Sequence, residues 1–125
     1  MIALENISLR QGSFELSGVN LSLSAGEYGV LMTRAEAIFA VPAMPLEDVS
    51  DPTGAGDTFA GGFMGYLASA GEITDAAVSR AIIAGSAMAS FAVEDFGLDR
   101  LLSLTQDDVR RRFDAFKRLT HFEAL

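Results

Sequence analysis

Cysteine is absent from this 125-residue chain. That excludes a disulfide frame, a thiolate metal site and a cysteine nucleophile. Positive charge is scarce: 9 Lys and Arg stand against 17 Asp and Glu, for a net charge of −8. Such a balance argues against nucleic acid or an anionic membrane surface as partner. Lys117 is the only lysine and lies far downstream, so no G-x-x-x-x-G-K-[ST] phosphate loop exists. No apolar run is long enough to span a bilayer. Met1 is not followed by a basic-then-apolar signal segment, and a cytoplasmic address is compatible with this composition.

What is present is ordinary globular material, half hydrophobic and with 12 glycines. Its length suits a single domain over residues 1–125. Ile2 to Arg10 and Phe14 to Ser24 alternate as strands around a Gln11-Gly12-Ser13 turn. Ala25-Gly26 breaks the second strand, Glu27 to Thr33 forms a third, and Ile38 to Val41 a fourth after a polar turn at Arg34–Glu36. Pro42 and Pro45 end regular pairing. Connections this short make the sheet mostly antiparallel. The fold class is therefore α/β, with about four short strands followed by three helices.

The first helix, from Gly56 to about Ala70, carries Phe59, Phe63, Tyr66 and Leu67 on one face as core. Gly61 and Gly65 on a neighbouring face allow close backbone packing. The second opens near Thr74-Asp75 and runs to about Val93, with Gly97 beyond it as a stop. The third begins at Thr105, where Thr105-x-x-Asp108 reads as a capping box. Val109, Phe113 and Phe116 turn inward, and Arg110-Arg111-Arg112 reads as a solvated face or, alternatively, a binding patch.

The chemistry is concentrated in Asp51-Pro52-Thr53-Gly54-Ala55-Gly56-Asp57-Thr58-Phe59. A glycine-rich turn runs straight into a helix, whose first amides have no partner within the helix and face its positive end. That arrangement suits a phosphate, and small residues at 54, 55 and 56 let an anion approach the backbone. Asp57 then has two readings. It either caps the helix or is a general base held beside a phosphoryl group.

The longer run DPTGAGDTFAGGFMGYLA (51–68) resembles the C-terminal signature of the ribokinase/PfkB family of sugar and nucleoside kinases. GEYGVLM (26–32) and AIFAVPA (37–43) resemble the two family strands before it. AIIAGSAMASFAVEDFG (81–97) is similar to the small-residue helix lining the family's adenine pocket. The resemblance covers residues 26–125, about the last third of a complete member. It implies a ribokinase-like C-terminal segment that binds ATP with Mg²⁺ and a small-molecule acceptor. By the same resemblance Asp57 is the catalytic base, and the amides of Gly54, Ala55 and Gly56 stabilise the transferring phosphoryl oxygens. Asp51 and Thr53 hold a monovalent cation such as K⁺, with a plain turn as the alternative for Asp51. Ser86 falls beside adenine, where the family often has a larger polar residue. The family's Asn-x-x-Glu motif for Mg²⁺ and phosphate is missing: Asn6 and Asn20 are the only asparagines, and neither has Glu three residues on. The sugar-binding half is missing too. The expectation is negligible sugar kinase activity for the chain alone, and self-association through an exposed sheet.

Residues 1–32 carry a second resemblance, to the opening strands of ABC-transporter ATPase domains. It stops where their Walker A loop should begin, since Thr33-Arg34-Ala35-Glu36 follows. ABC-type hydrolysis is thereby excluded. What remains open is a hybrid chain, with a hairpin at 1–25 joined to a kinase segment at 26–125, or a plain hairpin that covers the sheet. The competing functional readings are a kinase-derived nucleotide-binding module, a non-catalytic segment with a relic phosphate loop, and a subunit completed by a partner chain.

Overall fold

The computed structural model describes residues 2–11, 14–24, 29–34 and 37–123. The expected turn residues Gly12-Ser13, Ala25-Gly26 and Ala35-Glu36 lie outside them, as do Glu27 and Tyr28 of the expected third strand. Four strands, β1 (Ile2–Gln11), β2 (Phe14–Ser24), β3 (Gly29–Arg34) and β4 (Ala37–Val41), pair in chain order as one antiparallel sheet. β2 has the expected bounds, and β1 runs one residue past the expected Arg10. Their pairing shifts register twice, between Leu4 and Ile7 and between Ile7 and Leu9, as a bulged pair does.

Period-two alternation decides what β3 and β4 bury. Val30, Met32 and Val41 are in the core, with Phe39 packed against it. Met32 pairs with Phe39 and Val30 with Val41. The intervening pair Leu31–Ala40 and the nearby Ile38 face outward, and Ile38 is 76% exposed. One face of this part of the sheet is thus covered by helices, and the other presents apolar side chains.

The helices are α1 (Ala55–Ser69), α2 (Asp75–Ala92), a short α3 (Asp99–Leu102) and α4 (Gln106–Thr120). On α1, residues 59, 63 and 67 recur every four positions and are all buried; the rings of Phe59 and Phe63 stack 6.0 Å apart. Burying each such side chain contributes about 1.5–3 kcal/mol. The Thr74 hydroxyl accepts the Ala77 amide proton at 3.1 Å and starts α2. Thr105 and Asp108 form the expected capping box on α4, and Phe116 is fully buried.

Three expectations need correction. The close approach of α1 to α2 uses Gly62 and Gly85, not Gly61 and Gly65. A Cβ at Gly85 would lie 2.8 Å from the Phe59 carbonyl oxygen and ring, and one at Gly62 would meet Met88 and the Ala84 carbonyl. Space beside Gly61 and Gly65 is open. Gly62 lies three residues from Phe59 and shares its face, whereas Gly61 and Gly65 lie two residues from Phe59 or Phe63 and do not. Gly97 does not stop α2, which ends at Ala92; with φ of 65° it forms the turn leading to the unforeseen α3. Arg112 is not on a solvated face. Its side chain is only 15% exposed and lies between Glu94 and the Phe91 ring.

Candidate active site

A turn precedes α1, and proline and glycine fix its shape. The Ala55 N–H donates to the Pro52 carbonyl at 3.3 Å, and Gly54 sits at φ 79°, ψ −2°. Those angles belong to the third residue of a type II turn, a left-handed position that glycine takes without strain. Gly54 then becomes the N-cap of α1, its carbonyl accepting from the Thr58 amide at 2.9 Å. One donor expected to be free is therefore turned inward: the Ala55 amide closes the turn, and its side chain is buried. Among the described residues the amides of Gly54, Gly56 and Asp57 have no hydrogen-bond partner.

Asp57 lies in the first turn of α1 and is exposed. No side chain caps this helix, so the capping reading of Asp57 does not describe the structure. Unpaired amides and a free carboxylate share one helical turn.

Asp51 stands at the other end of the loop. Its Oδ1 accepts the Thr53 amide proton at 2.9 Å. Hydrogen bonds from the Thr53 backbone, and then from its side chain, hold the Asp51 carboxyl below the usual carboxylate value. The loop stem is tied to the end of α2. Ser50 and Asp51 donate their amides to the Val93 carbonyl at 2.8 and 3.4 Å, and the Ser50 hydroxyl donates to the Glu94 carbonyl at 3.0 Å.

Sequence reasoning missed this anchoring. The Glu94 carboxylate receives Arg100 at 2.9 Å and also Arg112. Arg112 donates in addition to the Ser90 hydroxyl at 2.6 Å. A signal existed: Arg112 lies three residues after Val109 and four before Phe116, on the inward side of α4.

Ser86 lies on α2, next to the Gly85 crossing. Its Oγ is buried and makes no hydrogen bond among the described residues, so no hydrogen bond links it to the loop. A buried hydroxyl left unpaired costs about 1–3 kcal/mol. Among the described residues no group of three or more His, Cys, Asp or Glu could hold a metal ion. The described residues therefore do not make a protein-only Mg²⁺ site.

The match to pfkB family carbohydrate kinases runs from residue 15 to residue 104. The chain belongs to that family. Among solved structures it is similar to the aminoimidazole riboside kinase of Salmonella enterica complexed with aminoimidazole riboside and an ATP analog. Identity there is 35%, with a TM-score of 0.62, over 70% of this chain and 29% of that one. It is also similar to the Methanocaldococcus jannaschii nucleoside kinase, an archaeal member of the ribokinase family. There identity is 29% and TM-score 0.58, over 72% and 28% of the two chains. No curated protein matches this chain. The chain thus spans less than a third of the length of these kinases.

The kinase match corrects the hybrid reading. It starts inside β2, ahead of the residue 26 junction, and takes in residues 15–32 of the stretch that resembles an ABC-type ATPase. Within the matched stretch, β2 and β3 pair continuously from Asn20–Thr33 to Ser24–Gly29. No described helix is long and apolar enough to cross a membrane.

Proposed function

We propose that this chain is the nucleotide- and phosphate-binding C-terminal part of an ATP-dependent kinase acting on a sugar or nucleoside hydroxyl. The observation that carries this reading is the junction at 54–57, where free amides and an uncapped carboxylate meet at a helix N-terminus. The Gly54, Gly56 and Asp57 amides would bind the phosphoryl oxygens of ATP. Donors of this kind contribute about 3 kcal/mol each to transition-state stabilisation. Asp57 would take the proton from the acceptor hydroxyl as that oxygen bonds to the γ-phosphorus and ADP departs. A weak base suffices, because phosphoryl transfer depends mainly on positioning and charge stabilisation. Asp51, held ionised with one oxygen on Thr53, would supply a charge for a monovalent cation beneath the loop, with Thr53 beside it. Ser86, partly exposed on α2, would lie beside the nucleotide base.

Catalysis by the chain alone should be negligible. Well-fixed substrate geometry supplies roughly 7–11 kcal/mol of a barrier, and this chain spans only 29% of its relative. A coupled ADP-release assay with sugars and nucleosides should show no turnover above the Asp57→Asn variant. Calorimetry with ADP and with ATP-Mg²⁺ should nevertheless register binding. Absence of binding would favour a folded, non-catalytic segment whose loop is a relic.

A further inference from the structure

Away from the loop, β4, α2 and α4 enclose a shallow cleft of about 190 Å³. Phe39, Ile83 and Phe113 form apolar walls, each only partly covered by neighbours. Arg80 and Lys117 stand at the same cleft, one on α2 and one on α4, and both are exposed. Neither makes an ion pair among the described residues. That is unexpected in a chain with 17 acidic residues against 9 basic ones. On α4, Arg110, Arg111 and Arg112 pair with carboxylates, whereas the exposed Arg118, outside the cleft, makes no ion pair among the described residues. Ser79 adds a hydroxyl with no hydrogen bond among the described residues.

We infer that this cleft binds a small amphiphile with one anionic head and an apolar ring or short chain. The apolar walls exclude a bare inorganic ion as the best occupant, because it would leave them uncovered. Two cations from different helices favour an anionic head, phosphate or carboxylate, over a neutral one. A cavity of about 150 Å³ holds a single benzene, so a cleft of about 190 Å³ has room for one ring. Such a ligand would bridge α2 and α4.

The test is an amide-resolved NMR titration of the chain with phenyl phosphate, benzoate, benzyl alcohol and inorganic phosphate. Phenyl phosphate or benzoate should move the amides of Phe39, Ile83 and Lys117 saturably, and their order identifies the head group. Benzyl alcohol and inorganic phosphate should bind there roughly tenfold more weakly or less. Arg80→Gln and Lys117→Gln should each weaken the aryl anion roughly three- to tenfold. Arg118→Gln, an exposed cation outside the cleft, should change nothing. Both positions are exposed, so the variants should keep the parent's amide dispersion. Shifts confined to Gly54–Asp57, equal binding of benzyl alcohol, or indifference to both substitutions would overturn the inference.

Discussion

The Arg112 guanidinium lies over the Phe91 ring, 4.0 Å from its centroid, while the same group pairs with Glu94 and donates to Ser90. Arg100 approaches that ring as well, at 4.9 Å. One aromatic ring and one carboxylate thus hold α3 and α4 against the end of α2. That end also receives the stem of the glycine-rich loop through Ser50 and Asp51.

Removing the guanidinium should therefore be costly. Arg112→Ala leaves Glu94 short of a partner in a half-buried place, and urea unfolding should show a loss of about 2 kcal/mol. Arg110→Ala, at a highly exposed pair with Asp107, should stay within about 0.5 kcal/mol of the parent. Equal effects would contradict the assignment of Arg112 to the interior.

The helix crossing makes a contrasting pair of glycine substitutions. Gly85→Ala drives a methyl into the Phe59 ring and carbonyl and should cost about 1–3 kcal/mol. Gly61→Ala meets open space in a helix interior and should stabilise by up to about 1 kcal/mol. Thermal melts of the two variants should move in opposite directions.

Besides Asp51, Glu94 and Asp108 are depressed carboxylates and set an acid limit. Burial pushes Glu94 up, but hydrogen bonds from Arg100 and Arg112 outweigh it, leaving the group below its ordinary 4.5. Hydrogen bonds from Thr105, chiefly its side chain, bring Asp108 from 3.8 to about 2. A folded pKa below the unfolded value means that the contribution is complete above the unfolded value. It is lost as pH falls through the folded one. For Asp108 the loss runs from 3.8 down to about 2. Urea midpoints should hold steady from pH 7 to 5 and drop below 4, and Thr105→Ala should flatten that drop. Parallel curves would show that the capping box contributes nothing to it.

The outward face of β3 and β4, with Leu31 45% and Ile38 76% exposed, should drive self-association. The double variant Leu31→Glu, Ile38→Glu should lower the mass seen by light scattering to that of a monomer. A parent chain already monomeric at high concentration would refute this.

Much of this architecture was legible because its signals were local. Recurrence at 59, 63 and 67, the Thr105–Asp108 box and the turn-to-helix glycines each fix structure within a few residues. The errors involve partners distant in sequence. Which glycine meets α2 depends on the crossing of two helices, so Gly62 and Gly61 are hard to tell apart from sequence. Arg112 was hidden inside an arginine triplet, and its partner Glu94 lies 18 residues away. α3 has only four residues, too few for a periodic pattern. The inward bond of the Ala55 amide follows from turn geometry, and the composition of the loop alone does not specify it.

The most direct test follows the amides of Gly54, Gly56 and Asp57 by NMR while ADP is added. Saturable shifts at these three, lost in Gly54→Val, whose side chain is strained at the left-handed φ, are the expected result. Saturation without movement of these amides, or unchanged binding by Gly54→Val, would contradict the assignment of this junction as the phosphate seat.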